Sequence, residues 1–152
     1  MEINKQTAKR MFPDAPEWLK KQLIEEFGES TFIAKDFETI KTFEDACRKL
    51  SLDPESVTTS ADTSDEAAYK KLKVVIKAVN GSWIPDWNND GQRKWYPWFN
   101  LYSGFGFSAS TYDWASTATG VGSRLCFETE EQCTYTANQF IDLYREFLTI
   151  TK

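Results

Sequence analysis

The order of apolar and polar residues predicts four helices, because in four stretches the apolar positions recur every three or four residues. The first helix is predicted over residues 14–28. Asp14 is expected to cap its N-terminus, with Glu17 completing an Asp-x-x-Glu box, and Gly28 is expected to end it. Its predicted apolar stripe consists of Trp18, Leu19, Leu23, Ile24 and Phe27.

Three further helices are predicted to begin at a threonine that is followed three residues later by Asp, Glu or Gln, a capping-box pattern. They cover residues 42–51, 63–80 and about 130–149. The C-terminal helix carries an apolar stripe suited to covering one face of a sheet. That stripe consists of Cys133, Ala137, Phe140, Tyr144 and Phe147.

Between the third and fourth helices the pattern changes to short apolar runs broken by Pro and Gly, which is typical of strands. The candidate strands are WYPWFNLY, GFGFSAS and GSRLCFE, and their order favours an antiparallel meander. Pro97 is expected at a strand start or a sheet edge, because it has no N–H to donate. The predicted fold is therefore α+β. An antiparallel sheet of about three strands within residues 95–128 is packed by the C-terminal and central helices, with two additional N-terminal helices.

A chain of 152 residues suits one domain over residues 1–152. Within it we predict a helical N-terminal part (1–50), a mobile connection rich in Ser, Thr and Asp (51–65) and an α+β core (66–152). No apolar run approaches the ~20 residues of a membrane span, and the N-terminus lacks a signal-peptide pattern. A cytoplasmic protein with no membrane association is expected. The three cysteines lack C-x-x-C spacing and are predicted to be reduced and buried: Cys47, Cys126 and Cys133.

The chain contains no histidine. This excludes Ser-His-Asp and Cys-His catalysis, two-histidine zinc sites and any histidine general base. No carboxylate spacing specifies a glycosidase or nuclease site, and GFGFS lacks the full G-x-G-x-x-G pattern of a phosphate loop. We therefore expect a protein that is not an enzyme and has no cofactor.

Charge is unevenly distributed along the chain, whose net charge is −5. Residues 67–110 carry 6 basic and 2 acidic side chains, whereas the segments before and after them are acidic. The basic segment is either a set of solvated helix lysines or a patch that faces an anion.

Five of the six tryptophans lie between Trp83 and Trp114, inside or next to this basic segment. Three interpretations remain open for the aromatic residues: a hydrophobic core, a platform on which nucleotide bases stack, or a protein-protein hot spot. Trp87 is expected to be at least partly exposed, because it lies in a polar, turn-like segment. Trp95 and Trp98 are expected to be buried.

Arg124 lies inside the third candidate strand. It is either an edge residue that reaches water or a fixed group that binds an anion near the basic segment. The residues predicted to contact a ligand or partner are Trp87, Arg93, Lys94, Trp95, Tyr96 and Arg124.

The sequence DWNNDG has the spacing with which a calcium loop begins. Asp86, Asn88 and Asp90 occupy positions one, three and five, and Gly91 supplies the turn at position six. Position twelve, which needs a bidentate Glu, is Pro97. The alternative is a polar turn, for which Asn-Asp-Gly is a typical composition. We expect no bound metal, with calcium as the alternative.

Several phrases together resemble a family of small, functionally uncharacterised proteins encoded by phages and prophages of anaerobic gut bacteria. They are TFEDAC, LKVVIKAVNGSWIPDW, KWYPWF, GFGFS and GSRLCFETEEQCTYTANQFIDLYREF, and the resemblance covers residues 39–148. It implies a phage or mobile-element setting and no particular chemistry. The expected function is that of a non-enzymatic accessory protein that binds a phage or host protein in the host cytoplasm. The alternative is a module that binds a small ligand, a nucleotide or single-stranded nucleic acid through residues 83–114.

Overall fold

The computed structural model describes residues 3–32, 35–102 and 104–150. The chain clusters into two compact units, residues 1–35 and residues 36–152, and each is described by itself. The predicted connection at 51–65 lies inside the second unit and contains a 3₁₀ turn at Pro54–Ser56. Within the described ranges, no helix combines the length and the apolar character that a bilayer span requires.

Over the residues that the structure describes, the first unit contains two α-helices, α1 (Lys5–Met11) and α2 (Glu17–Phe27). The sequence pattern did not predict α1, because its seven residues hold few apolar side chains. Its start is fixed locally, since the Asn4 side chain accepts a hydrogen bond from the Thr7 backbone N–H at 2.9 Å. The rings of Phe12 and Phe32 stack at 4.1 Å between centroids.

The start of α2 differs from the prediction. Pro16, not Asp14, is the N-cap residue, and Asp14 lies in a 3₁₀ turn. Ala15 is extended (φ −73°, ψ 142°) because a residue before proline disfavours the helical conformation. The end is as predicted: Gly28 has φ +81°, a value that glycine adopts without strain. Trp18 is 64% exposed, so it does not belong to the buried stripe.

The second unit contains four helices, α3 (Phe43–Lys49), α4 (Ser64–Asn80), α5 (Glu130–Gln139) and α6 (Ile141–Leu148). The three predicted box starts are confirmed. The Asp45 N–H donates to Thr42 Oγ1 at 3.1 Å, and the Thr63 N–H donates to Glu66 Oε2 at 2.9 Å. Thr129 and Gln132 exchange the equivalent pair of bonds at 3.1 and 3.2 Å.

The C-terminal helix is broken at Phe140, so the prediction of one continuous helix is wrong. Phe140 has φ −111° and ψ 32°, although neither proline nor glycine is present there. The two halves differ in their main partners: α5 contacts both strands and, less extensively, α4, whereas α6 packs mainly against α4. The break lets both halves bury apolar side chains, and all five predicted stripe residues belong to the core or pack against it.

The sheet consists of β1 (Lys94–Asn100) and β2 (Gly106–Asp113), paired antiparallel. The register runs from Lys94 opposite Asp113 to Asn100 opposite Gly106, with a bulge between Trp98 and Phe99. The α+β class is therefore confirmed, but the sheet has two strands rather than about three.

The third predicted strand forms only one bridge, between Phe127 and Trp95, with N···O distances of 2.7 and 2.9 Å. Gly122–Arg124 is a 3₁₀ turn. Continuing the antiparallel ladder would place Leu125 opposite Pro97, which cannot donate a hydrogen bond. Pro97 thus lies on the outer edge of β1, as predicted, and ends the pairing there.

The core of the second unit is built around α4. Its buried side chains are Ala68, Leu72, Val75, Ile76, Ala78 and Val79. Cys47, Cys126 and Cys133 are buried free thiols, as predicted. Burial raises the pKa of Cys126 to about 11 and that of Cys133 to about 12, so both thiols are protonated at neutral pH.

Candidate functional site

The loop before β1 is a chain of polar turns. Asp86 Oδ1 accepts a hydrogen bond from the Asn88 N–H at 3.0 Å, and Asn89 Oδ1 accepts one from the Gly91 N–H at 2.9 Å. The Asp86 N–H in turn donates to Gln92 Oε1 at 2.6 Å. The side chains of the loop thus bond to its own backbone, which is the behaviour of Asx turns.

The side chain of Lys94, the first residue of β1, is buried beneath this loop and hydrogen-bonded to it. It is only 1% exposed, and its ammonium group donates to three main-chain carbonyls. The Nζ···O distances are 3.1 Å to Asn89, 2.9 Å to Gln92 and 2.6 Å to Trp114. A lysine ammonium has three N–H donors, so these bonds use its full capacity.

The ring of Trp87 covers the same ammonium group, with 5.2 Å between Nζ and the ring centroid. The indole N–H of Trp87 donates to Ser123 Oγ at 2.6 Å, and the side chain is half-buried. We call Lys94, its three carbonyl acceptors and the Trp87 ring the Lys94 cage. In the described part of the chain no carboxylate forms an ion pair with Lys94. Carbonyl dipoles and an aromatic face therefore stabilise its charge.

The Lys94 cage bears directly on the calcium alternative. In a calcium loop that starts at Asp86, the main-chain carbonyl of position seven would belong to Gln92. Here that carbonyl accepts a hydrogen bond from Lys94. Among the described residues, no group of three or more Cys, Asp or Glu side chains is placed to hold a metal ion. The polar-turn interpretation accounts for the loop, with the chain's own ammonium as its central cation.

Adding millimolar Ca²⁺ to chelator-treated protein is therefore expected to leave the melting temperature unchanged, because a second cation would be repelled by the buried ammonium. Thermal melting and calorimetric titration measure this. A melting temperature that rises steadily with calcium concentration, following RT ln(1 + [L]/Kd), would contradict the assignment.

Two of the residues predicted to contact a ligand, Arg93 and Trp95, contact aromatic side chains at the end of β2. The Arg93 guanidinium lies 4.6 Å from the centroid of the Tyr112 ring and 5.4 Å from that of Trp114. Trp95 packs against the core and approaches Tyr112 at 4.8 Å between centroids. The aromatic faces next to Arg93 are thus already occupied by neighbours in the same chain.

Tyr96 lies on the opposite face of β1 from Trp95. Its hydroxyl donates to Asp113 Oδ2 at 3.0 Å. Burial raises the pKa of this phenol, and the hydrogen bond to Asp113 raises it further. The hydrogen bond of Tyr96 therefore stabilises the pairing of β1 with β2.

Trp98 differs from its prediction: it is 57% exposed rather than buried. It shares the face of Tyr96, whereas α5 covers the other face of the hairpin, where Ser110 Oγ lies 2.9 Å from Thr134 Oγ1. The small side chain of Ala109 is opposite Trp98 across the strands. Leu101 and Tyr102 at the tip of the hairpin are also exposed.

An open groove of about 840 Å³ lies beside α4 in the second unit. Its apolar lining comes from Leu50, Leu52, Val57, Val74, Trp83 and Ile84. Four basic side chains also line it: Lys70, Lys73, Lys77 and Arg124. We call this cavity the cationic groove.

The four cations of the cationic groove are not equivalent. Lys70 pairs with Asp62 at 2.7 Å, and the Lys73 ammonium lies 5.0 Å from the centroid of the Tyr69 ring. Within the described ranges, Lys77 and Arg124 pair with no carboxylate. Lys73 likewise pairs with no carboxylate there, so three of the four positive charges beside the apolar surface are not neutralised.

The Lys94 cage supports one wall of the cationic groove. Trp87 follows the lining segment 82–85 and is hydrogen-bonded to Ser123, which precedes Arg124. The end of α4 is held in a similar way, since Asn80 Nδ2 donates to the Cys126 carbonyl at 2.9 Å and Asn80 Oδ1 accepts from the Glu128 N–H at 3.3 Å. The 3₁₀ turn that carries Arg124 is thus bonded to Trp87 through Ser123, and the segment after the turn is bonded to the end of α4 through Asn80.

The structure divides the predicted site residues into two groups. Trp87, Arg93, Lys94, Trp95 and Tyr96 lie in β1 or in the loop before it. Trp87 covers Lys94, and the other four contact residues 112–114 at the end of β2. Arg124 lies apart from them in the cationic groove, together with three lysines of α4 that were not predicted. Their sequence signal was present, because these lysines are three and four residues apart on the polar side of α4, in the basic segment.

No family model, curated protein or solved structure matches the chain.

Proposed function

We propose that the chain is a non-enzymatic binding protein whose target is another protein, and that the cationic groove is its docking surface. The observation that carries this proposal is the combination, in one open groove, of an apolar lining with three cations, Lys73, Lys77 and Arg124, that no carboxylate of the described residues neutralises. The proposed setting, that of a phage or prophage accessory protein, rests on the sequence resemblance alone.

The groove has the composition of a protein interface. Ile84 is 77% exposed although it is large and apolar, and Trp83 lies beside it in the lining. Desolvation of such side chains supplies affinity, whereas charges at the rim steer association and select the partner. An apolar surface next to unpaired cations therefore supports an acidic protein partner.

The geometry supports protein binding better than the nucleotide alternative. A stacking platform needs open aromatic faces with free cations beside them. The three N–H donors of Lys94 are taken by carbonyls, and Arg93 already covers Tyr112 and Trp114. A base that stacked on the ring faces that Arg93 covers would have to displace these internal contacts.

Reversing two of the three unpaired charges of the groove is expected to abolish partner capture without unfolding the protein. The double variant Lys77→Glu/Arg124→Glu places acids where the partner's acids should bind, so capture should fall about tenfold or more, equivalent to at least ~1.4 kcal/mol. Quantitative mass spectrometry of proteins captured from infected host cells measures the loss.

The matched control is Lys41→Glu, which reverses an exposed charge of the same unit outside the groove. It should capture as well as the wild type. Equal capture by the double variant and the wild type, at unchanged melting temperature, would refute the cationic groove as the docking surface.

A further inference from the structure

The basic side chains of the cationic groove are arranged in a row. Lys70, Lys73 and Lys77 follow one another on one side of α4 at intervals of three and four residues. At a rise of about 1.5 Å per residue, the row extends over roughly 10 Å, and the lined stretch of α4 from residue 70 to residue 80 over about 15 Å. The groove is thus long enough to lie alongside two to three turns of another helix.

Lys70 is already paired with Asp62, so the charges open to a ligand are those of Lys73 and Lys77, one turn apart on α4, and that of Arg124. Charges distributed in this way favour an extended ligand with more than one negative charge. The head group of a small anionic amphiphile carries its charge at one point and would be best held by cations that converge on that point. The lysines of α4 instead succeed one another at the helical repeat, with the apolar side chain of Val74 between Lys73 and Lys77. Carboxylates three or four residues apart on a second helix have a matching spacing.

We propose that the occupant of the cationic groove is an amphipathic, acidic α-helix of the partner protein. Its apolar residues, spaced i, i+3, i+4 and i+7, pack against the lining around Ile84, and its acidic flank pairs with Lys77 and Arg124. This is the helix-in-groove mode of recognition, with charge complementarity fixing the orientation. The inference rests on the proposed function and adds the structural class of the partner segment.

The test uses the full chain and fluorescein-labelled synthetic peptides of about 15 residues, long enough to match the groove. The probe peptide has leucine at i, i+3, i+4 and i+7 and glutamate elsewhere on the flanks. A second peptide replaces each glutamate with lysine, and a third scrambles the order so that the composition is kept and the apolar stripe is lost. Oleate serves as the small anionic amphiphile in competition. Fluorescence anisotropy measures binding.

We expect the acidic amphipathic peptide to bind at micromolar concentrations, and at least tenfold more tightly than the lysine and scrambled peptides. Its affinity should fall about tenfold or more in Lys77→Glu/Arg124→Glu and in Ile84→Asp, and should be unchanged in Lys41→Glu. Ile84→Asp changes an exposed position and keeps the protein folded, which circular dichroism verifies.

The proposal is overturned if the scrambled or lysine peptide binds as tightly, if the groove variants bind as the wild type does, or if no peptide binds. It is also overturned if oleate binds through Lys77 and Arg124 while the acidic peptide does not. Protein capture that still depends on Lys77 and Arg124 would then leave the proposed function intact and reject only the helical partner. Loss of that dependence would reject both.

Discussion

Replacing Lys94 with methionine is expected to lower the free energy of unfolding by about 3 kcal/mol, because three carbonyls of the Lys94 cage lose their donor. Each buried acceptor without a partner costs roughly 1–3 kcal/mol. Two effects make the loss smaller than the summed cost of three unpaired carbonyls. The loop at 88–91 is exposed, so water can hydrogen-bond to some of the freed carbonyls. In addition, burying methionine does not require the desolvation of a charge. The free energy of unfolding still falls substantially, because the Lys94 ammonium joins the loop to the end of β2.

Urea denaturation followed by tryptophan fluorescence measures this loss. Lys41→Met is the matched control, since it removes an exposed lysine from the same unit and should change stability by less than about 0.5 kcal/mol. A Lys94→Met protein as stable as the wild type would show that water replaces the ammonium without cost and that the cage does not organise the loop.

Trp87→Ala is expected to lower the free energy of unfolding by about 2–3 kcal/mol, somewhat less than a fully buried tryptophan would, because the side chain is half-buried. The substitution removes the ring that covers the Lys94 ammonium and the hydrogen bond to Ser123. Trp87→Phe keeps an aromatic face but not the N–H donor, so it should lose about 1 kcal/mol.

Trp98→Ala is the matched control for Trp87→Ala, because both tryptophans belong to the same aromatic segment. Trp98 is 57% exposed and should tolerate truncation with a loss below about 1 kcal/mol. The sequence predicted an at least partly exposed Trp87, which its half-buried side chain fits, and a buried Trp98, which is wrong. An equal or larger loss for Trp98→Ala in thermal and urea denaturation would contradict the assignment of Trp87 to the Lys94 cage.

The helix starts could be predicted from the sequence because their signals are local. The boxes at Thr42, Thr63 and Thr129 each satisfy orphan N–H groups with a side chain only three residues away, and no distant contact is needed. The box expected at Asp14 failed for an equally local reason, because Pro16 forces the residue before it to be extended.

The positions at which helices and strands are interrupted could not be predicted, because they depend on contacts between residues far apart in the sequence. The break at Phe140 has no local signal, and the two helices that it separates differ only in their main partners. The third predicted strand has the composition of a strand, but it would have to pair with the outer edge of β1. Pro97 lies on that edge and has no N–H to donate, so the pairing stops after one bridge. Composition predicted where apolar residues cluster but not which segment would pair.

The candidate site was predicted only in part for the same reason. Lys94 was expected to be available to a ligand, since nothing local shows that the carbonyl of Trp114 lies above it. Arg124 and Lys77 are 47 positions apart, so sequence could not indicate that they line one groove. The spacing of the lysines on α4 could be read from the sequence, but the apolar lining of the groove beside them could not.

Photo-crosslinking from position 84 tests most directly whether the cationic groove binds a protein. Benzoylphenylalanine replaces Ile84 in one protein and Tyr102 in another, because these side chains are 77% and 86% exposed and only Ile84 lines the groove. In host cells, illumination should join one partner protein to position 84 but not to position 102, and Lys77→Glu/Arg124→Glu should abolish the adduct. No protein adduct at position 84, or an equal yield of the same adduct at position 102, would contradict the account.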